Sequence, residues 1–477
     1  MLEPVYQADV VIVGAGVAGL AAAHRLTSAG VTTVVLEAAH CVGGRMSTEK
    51  IDGFRLDRIG QLLSTSYPEL RLTQGLDGLV LQPFAPGVLV HSEGRHHRAG
   101  APPAGGGAGG ARGALNAVRA LASAPRATSA PRTGNGTPGT RPTGPRIARP
   151  RAAGPRSAGP RSGAPLGSTV DQARLGAALA RIAATPVERL LARPELPAGH
   201  ALLARGLPAR TIDGFVRPLL AALLCDPELT TSSRCADLAL RAFASGRLCL
   251  PEGGAEVLPE LLARALPPGT VHTGVRATSV STTSVTTAEH GEFRCAAVLL
   301  ATDAHAAAEL LPGLRVPDFH PVTVVHHTTD EPPSTGASLL LDADRRGPVA
   351  HTAVVSQVDP SRAPAGRALV SSTVLGAPPA DIDGAVRAHL ARLYGTSTAR
   401  WETLAVHHTA RAVPAMRPPY DLRKPVRLLA GLYVCGDHRD TSTVQGALHS
   451  GHRAATAVLA DLGAGPMHIA DPLPTAA

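Results

Sequence analysis

Gly14, Gly16 and Gly19 stand at G-x-G-x-x-G spacing, and Glu37 closes the next apolar run. Residues of these types in this order bind the pyrophosphate and ribose of a dinucleotide. Gly14 lets the chain turn sharply off a strand, Gly16 lets backbone N–H groups approach the phosphates, and Gly19 lets a helix pack closely on that strand. The N-terminal dipole of that helix favours phosphate charge, and an acid at the position of Glu37 accepts hydrogen bonds from a ribose.

These groups need a strand, a turn and a helix to hold them. Val10-Val11-Ile12-Val13 is an apolar, β-branched run too short for a helix. Val17 to Ala29 has helical period and stops at Gly30, a natural C′ residue. A second strand, Thr32 to Leu36, delivers Glu37 and completes a βαβ unit.

Past Glu37 come Gly43-Gly44-Arg45 and then Asp57-Arg58-Ile59-Gly60-Gln61. Backbone at Gly44 can approach the same pyrophosphate from another side, and Arg45 adds charge complementarity. The run from Val10 to Gln61 resembles the flavin-binding half of the flavin amine oxidase superfamily, which includes monoamine and polyamine oxidases, protoporphyrinogen oxidase and the phytoene desaturases. The resemblance implies FAD as cofactor, with Gly60 and Gln61 near the isoalloxazine ring, although Ile59 stands where the family has a glycine.

Later motifs follow in family order. Pro251-Glu252-Gly253-Gly254 leads into a helix over Glu256 to Leu266, then a strand around Val271–Val280. The resemblance gives Val275 backbone hydrogen bonds to the adenine. A strand ending in Gly436-Asp437 precedes a helix that begins near Thr443 and Val444. The resemblance sets Asp437 near the ribityl phosphates, and a helix N-terminus aimed at the flavin stabilises the reduced ring.

The expected fold class is α/β: a Rossmann-like FAD-binding domain of the two-dinucleotide-binding-domain type, with an interleaved α+β substrate domain. FAD-binding segments are expected at 5–78, 250–316 and 406–465, and substrate-domain segments at 79–99, 166–249 and 317–405. Between them, 100–165 is mostly Ala, Gly, Pro, Arg, Ser and Thr, with too little apolar surface to offset its ordering entropy. It is read as a disordered spacer, and 466–477 as a flexible tail. The helical stretch 166–249 includes Phe215 to Leu224, read as core, with Pro218 kinking or restarting its helix.

The net charge of +9 points at first to nucleic acid or an anionic membrane. The insert holds ten arginines and no acid, so +9 less these ten leaves the rest of the chain at −1. Aromatic content of 3% also disfavours base-stacking surfaces, and no nucleic-acid partner is expected. The six cysteines form no C-x-x-C pair and fit buried thiols in a reducing cytoplasm. No apolar run reaches membrane-spanning length, which leaves peripheral membrane contact as the most intimate association with lipid. The sequence carries no signal for oligomeric state.

The histidine pairs His326-His327 and His407-His408 lie in strand-like runs, where adjacent residues face opposite ways, so each pair offers one inward imidazole. They supply no recognisable metal set, each is read as ordinary sooner than catalytic, with a place in the site lining weighed for His408 as the lesser reading, and no catalytic acid or base is assigned. In the resembling amine oxidases an aromatic cage residue falls where Thr443 stands, and a lysine serves the flavin; neither Lys50 nor Lys424 lies in a matching segment. The favoured reaction is removal of hydride from a small apolar organic substrate by a dehydrogenase or desaturase, with oxygen or a quinone as electron acceptor. A flavin amine oxidase and a non-catalytic flavin-binding protein are the alternatives.

Overall fold

The computed structural model describes residues 6–100 and 167–463. The expected 100–165 insert, apart from Gly100, and the 466–477 tail lie outside the described residues.

The nucleotide-binding sequence signals converge on a six-stranded sheet in the order Val271–Thr273, Thr33–Glu37, Val10–Val13, Ala297–Leu300, Leu432–Val434, Arg427–Leu429. All neighbours are parallel except the last pair. Val10–Val13 and Ala297–Leu300 are buried at every residue, as the middle strands of a sheet covered on both faces must be. The Val17–Ser28 helix packs against the last helix, Val444–Asp461, at van der Waals range. A Cβ on Gly451 would stand 2.2 Å from the carbonyl oxygen of Ala18, and one on Gly19 would stand 2.1 Å from that of Gly14.

The single strand expected around Val271–Val280 is two strands in different sheets. Gly274, at φ +75°, breaks the run, and the N–H groups of Gly274 and Val275 turn to the carbonyls of Ala39 and Glu37. Ala277–Val280 then joins a four-stranded sheet with Ser284–Thr287, Glu292–Arg294 and Tyr6–Gln7.

The substrate side is a seven-stranded sheet: Glu402–Pro414, Phe319–Thr329, Ala368–Leu375, Val349–Val354, Leu340–Asp342, Val88–Ser92, Arg95–Ala99. Its strands are antiparallel except Leu340–Asp342 beside Val88–Ser92. Phe319–Thr329 is long enough to pair with Glu402–Pro414 along most of its length, so this sheet continues to Pro414, past the boundary expected at 405.

Helices between Thr169 and Ser245 pack on this side, and Phe215, Val216, Leu219 and Leu220 are core, as expected. Ahead of Pro218 the chain makes a π-turn, Ile212–Val216, and an α-helix restarts at Arg217–Leu224. Thr211, Val216 and Arg217 are all αR, so the π-turn lies within one continuous helical run, beside the proline that cannot donate a backbone hydrogen bond.

A buried guanidinium joins the two halves. Arg362, 2% exposed, donates to Asp57 Oδ2 at 2.6 Å, to Asp359 Oδ2 at 3.0 Å and to the Pro251 carbonyl at 2.9 Å. Asp57 also accepts from Thr48 Oγ1 and the Ala255 N–H. Burial alone would raise the Asp57 carboxyl, but Arg362 and these donors hold it below the ordinary aspartate range. Among the described residues no helix is long and apolar enough to cross a membrane.

Candidate active site

A cavity of about 680 Å³ opens at the carboxyl ends of the parallel strands, where open α/β sheets bind ligands. Gly14, Gly16, Glu37, Gly44, Arg45, Gln61, Val275, Gly436, Asp437, Thr443 and Val444 all line it. Gly19 and Gly60 do not: Gly19 lies behind the loop against Ala301, and Gly60 faces Val324.

The floor is backbone. The Gly43 N–H donates to the Ala15 carbonyl at 2.9 Å, which docks the second glycine pair on the first loop. A Cβ on Gly16 would meet nothing within 4 Å, and one on Gly44 would reach only the Gly16 Cα. The bare faces of the two loops therefore leave room for a phosphate. Glu37 fixes the first loop, accepting from the Ala15 N–H at 2.8 Å and the Ala39 N–H at 2.9 Å. The Val275 N–H donates to the Glu37 carbonyl at 2.8 Å, which leaves the Val275 carbonyl for the backbone bonding expected to the adenine.

Arg45 has firm partners within the protein. It donates to Asp437 Oδ1 at 2.6 Å and to the Ala412 carbonyl at 2.8 Å. It thereby ties the cleft to the long substrate-side strand, and much of the charge expected to face the pyrophosphate is met by Asp437. Above this pair Thr443 caps the last helix, its Oγ1 accepting from the Gly446 N–H at 3.1 Å. The helix N-terminus faces the cavity through Thr443 and Val444.

The sequence analysis missed Asp303, Thr302 and Arg276, which also line the cavity. Asp303 follows a buried strand and caps the next helix through the N–H groups of His305 and Ala306. An acid directly after the apolar run 296–302 is the signal that could have found it.

Beyond Gly60, Ile59, Val322, Val324, Ala412 and Val413 form one apolar cluster. His326 lies near it, with Nε2 3.1 Å from the Asp57 carbonyl and Nδ1 2.9 Å from Ser371 Oγ. A carbonyl only accepts, so Nε2 carries the proton and Nδ1 accepts from the serine. Burial pushes the His326 pKa down to about 4, so the ring is neutral. His408 does not line the cavity; it is exposed and holds Thr323 Oγ1 at 2.8 Å. Both members of the other pair are buried, because both faces of the Phe319–Thr329 strand are covered: His327 points away to Asp383 at 3.1 Å. The two lysines are also elsewhere. Lys50 pairs with Glu256 at 2.7 Å, and Lys424 donates to the His438 carbonyl at 3.0 Å.

The family model for flavin-containing amine oxidoreductases matches residues 17–459. The chain belongs to that family. As a member it is an FAD-dependent oxidoreductase, and the glycine-faced cleft fits a dinucleotide cofactor. Putrescine oxidase of Kocuria rosea is 48% identical over 68 residues, 14% of either chain, so the likeness in sequence spans a small part of that relative. An oxidoreductase from Methanosarcina mazei superposes with a TM-score of 0.66 at 15% identity, covering 94% of this chain and 99% of that one. A protoporphyrinogen oxidase-like protein from Exiguobacterium gives 0.62 at 16% identity, covering 97% and 100%. At these identities the structural likenesses establish the fold.

Proposed function

We propose that this chain is an FAD-dependent dehydrogenase or desaturase that takes hydride from an apolar organic substrate. The observation that carries the reading is the apolar cluster of Ile59, Val322, Val324, Ala412 and Val413 beside Gly60, with a neutral His326 and both lysines engaged away from the cavity. Packed behind Gly60, this buried cluster offers an ammonium group no partner on that side.

In this reading the Gly14–Gly16 loop, Gly44 and Gly436 hold the pyrophosphate by backbone approach, Glu37 takes the ribose, and Val275 borders the adenine. Arg45 positions Asp437, while Gln61, Thr443 and Val444 face the ring. Bound FAD supplies a two-electron acceptor that is reoxidised by oxygen or a quinone. His326 keeps Asp57 and Ser371 in place and holds no mobile proton near neutral pH. The FAD-binding segments alternate with substrate segments, the last change coming after Pro414.

The matched stretch of putrescine oxidase favours a second reading, oxidation of a primary amine. Anaerobic mixing of the purified flavoprotein with donors separates the readings by bleaching of the flavin band. Reduction by polyene or porphyrinogen donors and none by diamines is expected. Fast bleaching by putrescine alone would reverse the assignment. Reduction by dithionite and by no organic donor would mark a non-catalytic flavin protein.

A further inference from the structure

The sequence analysis expects no metal ligands, yet the far end of the seven-stranded sheet brings three together. His91 and Asp342 are direct partners across the parallel Val88–Ser92 and Leu340–Asp342 strands, and Asp344 follows on the next turn of chain. His91 Nδ1 stands 3.9 Å from Asp342 Oδ1 and 3.9 Å from Asp344 Oδ2. His91 is 8% exposed and Asp342 4%, and neither His91 Nδ1 nor Asp342 Oδ2 has a hydrogen-bond partner. A buried ring nitrogen thus points between two carboxylates without bonding either.

The surroundings are organised around this gap. Asp344 is held by Ser92 Oγ at 2.9 Å and the Glu93 N–H at 2.8 Å, and its own N–H donates to Asp342 Oδ1 at 3.0 Å. His389 Nδ1 accepts the Val349 N–H at 3.1 Å, so its proton is on Nε2, 3.3 Å from Asp342 Oδ2. It backs the carboxylate as an outer positioning group and is not itself a ligand. Among the described residues no lysine or arginine pairs with Asp342 or Asp344.

We infer that His91, Asp342 and Asp344 bind a divalent transition-metal cation, Zn²⁺ or Mn²⁺, that clips the two parallel strands together. One imidazole and two carboxylates suit such an ion, and the ion gives the buried, unpartnered His91 Nδ1 its partner. Bonds of ~2.1 Å at tetrahedral angles separate ligand atoms by roughly 3.4 Å, and the three ligand atoms lie within 4.8 Å of one another, so binding draws them together. The site is structural and independent of the flavin cleft.

The test uses the full-length flavoprotein, stripped with EDTA and titrated with ZnCl₂ or MnCl₂. One equivalent should bind per chain and raise Tm by roughly 5 °C at a hundredfold excess over Kd. His91→Gln and Asp342→Asn should each abolish that equivalent while the flavin spectrum stays unchanged. The absence of saturable binding by the wild-type chain, or equal binding by both variants, would overturn the site. So would a metal-independent Tm that falls as pH rises through about 6.5, which would assign the gap to an imidazolium between two carboxylates.

Discussion

The two large sheets bury their central strands in opposite ways. Val10–Val13 and Ala297–Leu300 in the six-stranded sheet are wholly apolar, whereas Phe319–Thr329 in the seven-stranded sheet buries Thr323, His326, His327, Thr328 and Thr329. The first sheet is held by burial and by glycines that let backbone touch backbone. The second depends on polar groups whose partners must all be present. Shape is the weak point of one sheet, and hydrogen bonding that of the other.

Substitutions can break that contrast, and the largest effect is expected in the apolar half. Gly451→Val forces the last helix off the Val17–Ser28 helix and should cost at least about 4 kcal/mol with loss of bound FAD. Normal flavin content and an unchanged Tm would show that backbone contact is not what holds this half.

Next comes the joint between the halves. Arg362→Met leaves Asp57 and Asp359 buried and unpaired, an expected loss of about 3–5 kcal/mol in urea unfolding. Asp57 is held below its ordinary range, so its contribution is complete above about pH 4 and is lost as pH falls through the lowered value. The variant should lack that acid-dependent loss.

Smaller effects test the polar half. His326→Leu strands the Asp57 carbonyl and the Ser371 hydroxyl, for about 1–3 kcal/mol at neutral pH. Its lowered pKa means the unfolded chain binds more protons than the folded one between about 6.5 and about 4, so wild-type stability falls with pH across that window. His351 and His438 are pushed down alike, so the His326 share is the difference between wild type and variant. An unaltered acid profile in the variant would remove His326 from the network. Thr443→Ala should cost only about 1 kcal/mol, the worth of a helix cap, seen as a small drop in Tm.

The same contrast governs what could be read from the sequence. Gly14, Gly16, Gly19 and Glu37 act within one βαβ unit, so their spacing carries their meaning. Arg362 and Asp57 lie 305 residues apart, and His326 and the Asp57 carbonyl 269, so no local pattern joins them. The alternation rule sends His326 and His327 to opposite faces, as found, but it does not say that both faces of that strand are covered, so both rings are buried. The Val271–Val280 run reads as one strand, and Gly274, at positive φ, divides it between two sheets. Gly60 and Gly19 lie off the cavity lining, a distinction that a motif does not contain.

The order of strands in the six-stranded sheet also bears on synthesis. Val10–Val13 leaves the ribosome early but lies between Thr33–Glu37 and Ala297–Leu300, and Leu432–Val434 lies one place further on. One edge of Val10–Val13 therefore stays unpaired until Ala297–Leu300 has been made, an open strand edge that can template mispairing. The cleft lacks Thr443 and Val444 until the last helix emerges. A cofactor that needs the whole lining therefore binds only after the Val444–Asp461 helix has been made.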